Sequence, residues 1–193
     1  MKTLILGSQS PRRKEILTFF KLPFIQVSPD FDAEAAEVNP DPHIYAASLA
    51  AGKVSSLIEK YPGSVILGAD TVVFKDGNYY AKPQNRDEAR QFIKDFSGAW
   101  QTVVTGMAIS VEGKLYTESS ETLVKFNRLS DAAIEAYLDH NIWQDKAGGY
   151  TIVGTPSLLV ERIDGCFYNV MGLPVNTLAS LLLKADIDLW QHF

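Results

Sequence analysis

Leu4-Ile5-Leu6-Gly7-Ser8-Gln9-Ser10-Pro11-Arg12-Arg13-Lys14-Glu15-Ile16-Leu17 is the stretch that decides the architecture. Leu4-Ile5-Leu6 is a short apolar run of the kind that forms a buried strand. Pro11 suits the first turn of a helix, where its missing N–H costs nothing, and Ile16, Leu17 and Phe20 fall along one side of that helix. Strand, polar loop and helix in immediate succession indicate an α/β protein.

Outward from this junction, Val65-Ile66-Leu67 reads as a second buried strand leading through Gly68-Ala69 into Asp70. Val72-Val73-Phe74 and Asn78-Tyr79-Tyr80 flank Asp76-Gly77 as a hairpin. The stretch from Val27 to Pro42 is rich in Pro, Asp and Glu and reads as a loop able to act as a mobile flap, before a helix from about His43 to Tyr61. Asn85-Arg86-Asp87-Glu88 has the spacing of a capping box and opens a helix, with Ala89, Phe92 and Ile93 inward, that stops near Gly98. Val103 to Val111 and Lys114 to Phe126 read as long strands joined at Glu112-Gly113, and Ser130 caps a helix carrying Ile134, Tyr137 and Leu138. Leu158 to Ile163 and Cys166 to Val170 are expected to form a further hairpin around Asp164-Gly165, with a last helix after Pro174. Hairpins among crossovers predict a mixed, twisted sheet flanked by helices, and no break in composition divides residues 1–193, which are expected to form a single domain.

With 193 residues, 46% of them hydrophobic, the chain can bury one sizeable core. A net charge of −5 argues against a broad nucleic-acid-coating face, whose affinity comes from many Lys and Arg contacts to phosphate, but leaves room for a local basic pocket. Cys166 is the only cysteine, so no intrachain disulfide and no multi-cysteine zinc site can form. No apolar run approaches the ~20 residues of a membrane span, and the expected location is the cytoplasm.

Ser8, Ser10, Arg12, Arg13 and Lys14 crowd a helix start whose free N–H groups and dipole already favour an anion. Three cations beside the positive end of a helix are unfavourable unless an anion offsets them. The residues point to a phosphate site, against the plainer alternative of a solvated helix end; the spacing is not that of a Walker A loop. Asp70, between an apolar strand and Thr71-Val72-Val73, is a carboxylate in a poorly solvated place, with a catalytic or metal role or a structural hydrogen-bonding one. An aspartyl-phosphate mechanism fits less well, since no second Asp stands two residues away. Lys53, Lys82 and Lys146 are each unremarkable alone, but a triphosphate needs several cations to be held away from water. His43, His140 and His192 lack metal-ligand spacing.

Ser8-Gln9-Ser10-Pro11-Arg12-Arg13, Gly68-Ala69-Asp70-Thr71-Val72-Val73, Lys82-Pro83, Ser97-Gly98, Val104-Thr105-Gly106, Asp145-Lys146-Ala147-Gly148-Gly149-Tyr150 and Gly172-Leu173-Pro174 together resemble the Maf family of nucleotide pyrophosphatases. The resemblance implies a fold of the inosine triphosphate pyrophosphatase type, two lobes around a cleft and a possible homodimer. It implies hydrolysis of a nucleoside triphosphate to monophosphate and pyrophosphate with Mg²⁺ or Mn²⁺. Asp70 matches the family's general base, and Arg13, Lys53 and Lys82 its phosphate-contacting cations, with Ser8 and Ser10 in the same loop. The family's acidic loop carries Glu where this chain has Ala33, so a metal carboxylate beside Asp70 falls to Asp32 or Glu34, of which Glu34 has the longer reach, or is absent. Arg12 and Thr71 match specificity positions of the branch acting on dTTP and UTP, whereas the third such position, a Gln in that branch, is Val153. Looser base selectivity is expected. The competing reading is a non-catalytic nucleotide- or nucleic-acid-binding regulator of cell division, which would release no pyrophosphate; the acidic balance disfavours the nucleic-acid version.

Overall fold

The computed structural model describes residues 3–140 and 143–193. Strands β1 (Leu4–Gly7), β2 (Phe24–Val27), β3 (Val65–Lys75), β4 (Asn78–Tyr79), β5 (Trp100–Val111), β6 (Lys114–Phe126) and β7 (Val160–Gly165) form one seven-stranded sheet. Its order is β2-β1-β3-β5-β6-β7, with β4 on the far end of β3. β1 runs parallel to β2 and β3, and every other pairing is antiparallel. The expectation of a mixed sheet is met.

Alternation along the strands sends side chains to two faces. Leu4 and Leu6 join Leu67, Met107 and Ile109 in the larger core, which is covered by α1 (Pro11–Leu17), α3 (Arg86–Phe96), α4 (Asp131–His140) and α6 (Val175–Leu183). Ile5, Ile66 and Ala108 turn the other way and meet Ala50, Val54 and Leu57 of α2 (Pro42–Ile58). This helix lies unusually close to the sheet. A Cβ on Gly68 would sit 2.7 Å from Val54 Cγ2 and 3.2 Å from the Ala50 carbonyl, and one on Gly106 would run into the backbone of Ala46 and Ala47. The His43 ring bridges Ser119 Oγ at 2.9 Å and Glu121 Oε2 at 3.2 Å, fastening the start of α2 to β6.

Two tight turns follow the sequence expectation: Asp76-Gly77 and Glu112-Gly113 all have positive φ, the conformation of a two-residue hairpin loop that matches strand twist. Asn85 caps α3 by accepting from Glu88 N at 2.9 Å, and Glu88 reaches back to the N–H of Gln84 at 2.6 Å. Two expectations need correction. Phe24–Val27 is a strand, β2, within a region with no strand expected. Cys166–Val170 is not the second arm of a hairpin: Phe167–Val170 forms a short helix, α5. The local pattern suits a strand, but Asn169 inside this turn is fully buried and donates to Val103 O and Thr122 Oγ1, anchoring it onto the sheet as a helical turn. No helix among the described residues is long and apolar enough to cross a membrane.

The pairing register leaves a gap in one edge of β3. Val65–Gly68 pair with Leu4–Gly7, and Phe74 and Lys75 pair with Tyr79 and Asn78. Between them, Ala69–Val72 have a strand neighbour on the β5 side only. Asp70 and Thr71 lie in this gap.

Candidate active site

On one wall of the gap stands the loop from β1 into α1. Ser10 caps α1 by accepting from Arg13 N at 3.4 Å, and buried Ser8 accepts from Ser10 N at 3.2 Å. Gln26 of β2 donates to the carbonyls of Ser8 and Ser10, at 2.8 and 3.4 Å, which turns those oxygens away from anything anionic. The Arg13 guanidinium is held at each nitrogen: Nε to Gly172 O at 2.7 Å, Nη1 to Ser8 Oγ at 3.3 Å and Nη2 to Thr71 Oγ1 at 3.0 Å.

On the opposite wall, Gly148 in the turn Ala147–Gly149 donates to the carbonyls of Tyr80 and Ala81, at 2.8 and 3.0 Å, which joins the segment holding Lys146 to the segment holding Lys82. Positive φ at Gly148 and Gly149 makes this turn possible. The floor comes from α2 and β3, where Lys53 Nζ donates to Asp70 Oδ1, both side chains being about 15% exposed (16% and 15%). No donor among the described residues is bonded to Asp70 Oδ2.

The charges sense one another. Burial lowers the pKa of Lys53, Asp70 raises it, and Arg13 and Lys82 lower it again. Burial lowers that of Arg13, with Asp70 raising it and Arg12 lowering it. For Lys146 burial acts first, then Arg12, both downward, with Asp145 opposing them. Burial also lowers Arg12. Cations from four separate segments thus lie within reach of one another, with Asp70 facing Arg13 and Lys53 and Asp145 facing Lys146, in a protein of net charge −5. Repulsion of this kind is relieved by an anion of high charge.

The acidic segment before α2, expected as a loop, touches α2 and the sheet at several points. The Phe31 ring occupies the space over Gly52, Ala33 and Ala36 pack onto the cluster of Ala46, Leu49, Val72 and Val104, and Tyr79 Oη donates to Asn39 O at 2.7 Å. Ala33 is therefore an apolar contact. Asp32 Oδ1 is occupied by the N–H groups of Glu34 and Ala35, at 2.9 and 3.3 Å, while the Glu34 side chain is exposed. Among the described residues no cluster of three or more His, Cys, Asp or Glu side chains is arranged to hold a metal ion without a ligand's help. Val153, 47% exposed, lines an open cavity of about 320 Å³ together with Lys146, Thr151 and Gly154.

Arg12, Arg13, Lys53, Lys82, Asp70 and Thr71 are brought together at the gap, Lys146 and Val153 line a common cavity, and Glu34 belongs to no metal-holding group of three or more His, Cys, Asp or Glu side chains among the described residues. Three contributors carried no sequence signal of their own: the Gly172 carbonyl that holds Arg13, Thr105, which is hydrogen-bonded to Thr71, and Asn169, whose carbonyl accepts from Thr105. Gly172 and Thr105 stand in motifs quoted above, but what they touch depends on chain segments far apart.

A mixed α/β sheet with a cation-lined interruption around one carboxylate defines an α/β protein equipped to hold a polyphosphate. The chain belongs to the Maf family: the family described as "Maf-like protein" matches residues 3–185. It is 42% identical to the dTTP/UTP pyrophosphatase of Chlamydia caviae, over 98% of this chain and 97% of that protein. It is also 42% identical to the dTTP/UTP pyrophosphatase of Pyrococcus furiosus, over 94% and 95% of the two chains. Among solved structures, the Staphylococcus aureus Ham1 protein shares the fold, with a TM-score of 0.55 at 12% identity over 95% of this chain and 100% of that one.

Proposed function

We propose that this chain hydrolyses the α–β anhydride of nucleoside triphosphates, with dTTP and UTP as its first substrates. The observation that carries the reading is the convergence of Arg12, Arg13, Lys53, Lys82 and Lys146 on the gap beside Asp70. A triphosphate is the small anion whose charge matches that set, and the similarity to two dTTP/UTP pyrophosphatases along nearly their whole length supports it. In this reading the triphosphate lies along the gap, its phosphates between Arg13 on one wall and Lys82 on the other, with Lys53 on the floor. The base occupies the cavity lined by Lys146 and Val153, with Arg12 close enough to Lys146 to sense its charge.

Asp70 accepts a proton from a water molecule, and the water oxygen bonds to the α-phosphorus. The bond from that phosphorus to the bridging oxygen breaks, its electron pair leaving with pyrophosphate. Lys53 keeps Asp70 oriented before the substrate arrives, and with its other N–H groups can hold a phosphate oxygen. The cations offset charge on the transferring and leaving groups, which is where most catalysis of phosphoryl transfer lies.

A divalent metal fits these residues in the manner of Mg²⁺, which is commonly bound by one or two carboxylates together with substrate phosphates. Asp70 through Oδ2, with Glu34 as the reaching carboxylate, would hold it. When bound it supplies further neutralisation of the phosphate oxygens. The experiment is pyrophosphate release from a panel of nucleoside triphosphates, with Mg²⁺ or Mn²⁺ present. Turnover led by dTTP and UTP is the expected result; binding without turnover of any of them overturns the enzymatic reading.

A further inference from the structure

Three hydroxyl and carbonyl groups lie in a line behind Arg13. Nη2 of Arg13 is 3.0 Å from Thr71 Oγ1, Thr71 Oγ1 is 2.9 Å from Thr105 Oγ1, and Thr105 Oγ1 is 2.9 Å from the Asn169 carbonyl. The direction of each bond follows from chemistry. A carbonyl only accepts, so Thr105 spends its one proton on Asn169. Thr71 must then donate to Thr105, and its remaining bond accepts from Arg13, which has no acceptor to offer. The chain runs one way only, from guanidinium to carbonyl.

Its far end is rigid. Asn169 is fully buried, its amide nitrogen donates to Val103 O at 2.9 Å and Thr122 Oγ1 at 3.0 Å, and its own carbonyl also accepts from Gly172 N at 2.9 Å. Gly172, at φ 95°, returns the contact by presenting its carbonyl to Arg13 Nε. Arg13 is thus clamped on two sides by one turn, directly through Gly172 and indirectly through two threonines. Thr105 is fully buried and lies on β5 directly opposite Thr71 in the strand register.

We infer that Thr71 and Thr105 are positioning residues that act through Arg13, fixing the plane of its guanidinium before a phosphate arrives. Thr71, whose proton is committed to Thr105, has no donor to offer a nucleotide base while the chain is intact. A prearranged guanidinium loses less freedom on binding, and small misplacements of such a group are costly to rate. The inference rests on the reading of Arg13 as a phosphate ligand.

The test is a double-mutant cycle on the full chain, reading kcat/KM for UTP and dTTP: wild type, Thr105→Val, Arg13→Lys and the pair. Lysine keeps the charge but cannot reach three acceptors at once. Thr105→Val is expected to cost about tenfold in the wild-type background, because it leaves the Thr71 hydroxyl without its acceptor and frees the hydroxyl to turn from Arg13, but less than about twofold beside Arg13→Lys. Thr105→Ser restores the rate, and Thr71→Val lowers kcat/KM for both nucleotides by the same factor. An equal loss from Thr105→Val in both backgrounds overturns the proposal, as does a Thr71→Val enzyme whose nucleotide ranking has changed. Should Thr105→Val melt below the assay temperature, the cycle is run with Thr71→Val in its place, read by the same two criteria. Absence of pyrophosphate release from wild type would instead remove the proposed function, a result distinct from all of these.

Discussion

Lys53 of α2 donates to Oδ1 of Asp70 on β3, so the carboxylate of the gap is oriented by a neighbour from the opposite side of a helix–sheet contact. Asn at position 70 keeps an oxygen that Lys53 can donate to but loses the proton acceptor. Asp70→Asn should therefore keep its circular dichroism spectrum while kcat falls by about 10²–10⁴. Turnover near wild type would make Asp70 structural.

Lys53 and Lys82 repel each other across the floor of the gap, a cost that bound phosphate relieves. Lys53→Ala and Lys82→Ala are each expected to lower kcat/KM for every nucleoside triphosphate by a similar factor, since phosphates do not differ between bases. Burial holds the Lys53 pKa below 10.5, and the protonated form is the one that binds. The alkaline decline of kcat/KM should thus begin below the ordinary lysine range as pH rises, and Lys53→Arg should shift it upward. Base-dependent losses from either alanine would count against phosphate contact.

Gly106 lies under the backbone of Ala46 and Ala47, with no flexible side chain able to yield. Gly106→Ala should cost about 3 kcal/mol through overpacking, or roughly 6–12 °C in Tm for a chain of this size. By lifting α2 it should also loosen Lys53 from Asp70. A calorimetric Tm within a degree of wild type would show that the helix floats more freely than this contact implies.

Asp32 is spent on a turn, whereas the Glu34 side chain is exposed. Glu34→Gln is expected to raise the Mg²⁺ concentration needed for half-maximal turnover by roughly tenfold, the scale of a lost carboxylate ligand. Asp32→Asn should do less, because an amide oxygen can still accept both N–H groups. The reverse order in a metal titration would exchange the two roles.

Val153 offers the cavity beside Lys146 an apolar surface, whereas Gln would offer a donor and an acceptor. CTP is expected to follow UTP and dTTP closely, and Val153→Gln to widen that difference by about 1–3 kcal/mol in ratios of kcat/KM. An unchanged ranking in the variant would separate Val153 from base choice.

Residues with a strong local cause were legible in the sequence. Leu4–Leu6 and Val65–Leu67 are too apolar to be anything but buried, Asp76-Gly77 and Glu112-Gly113 adopt positive φ readily, and Asn85 has a carboxylate at capping distance. The site's charged residues were legible because their motifs resemble a family. What stayed hidden depends on chain segments brought together from afar. Phe24–Val27 becomes a strand because β1 offers a free parallel edge, and Phe167–Val170 turns helical because Asn169 finds partners on β5 and β6. Ala33 gave no sign that it would pack against Ala46 and Leu49, since that depends on where Phe31 lands. The hydroxyl line from Arg13 to Asn169 was invisible for the same reason.

The bond from Arg13 Nε to the Gly172 carbonyl spans 159 positions of the chain. On a ribosome adding about 5–20 residues per second, the arginine is made roughly 8–30 s before its acceptor. Through that interval β1 and α1 can form, and β3 can be laid beside them, yet the guanidinium lacks the acceptor for its Nε. The nascent protein therefore acquires its sheet before its binding site, and a chain truncated ahead of Gly172 would carry every catalytic side chain named above while lacking the turn that aims one of them.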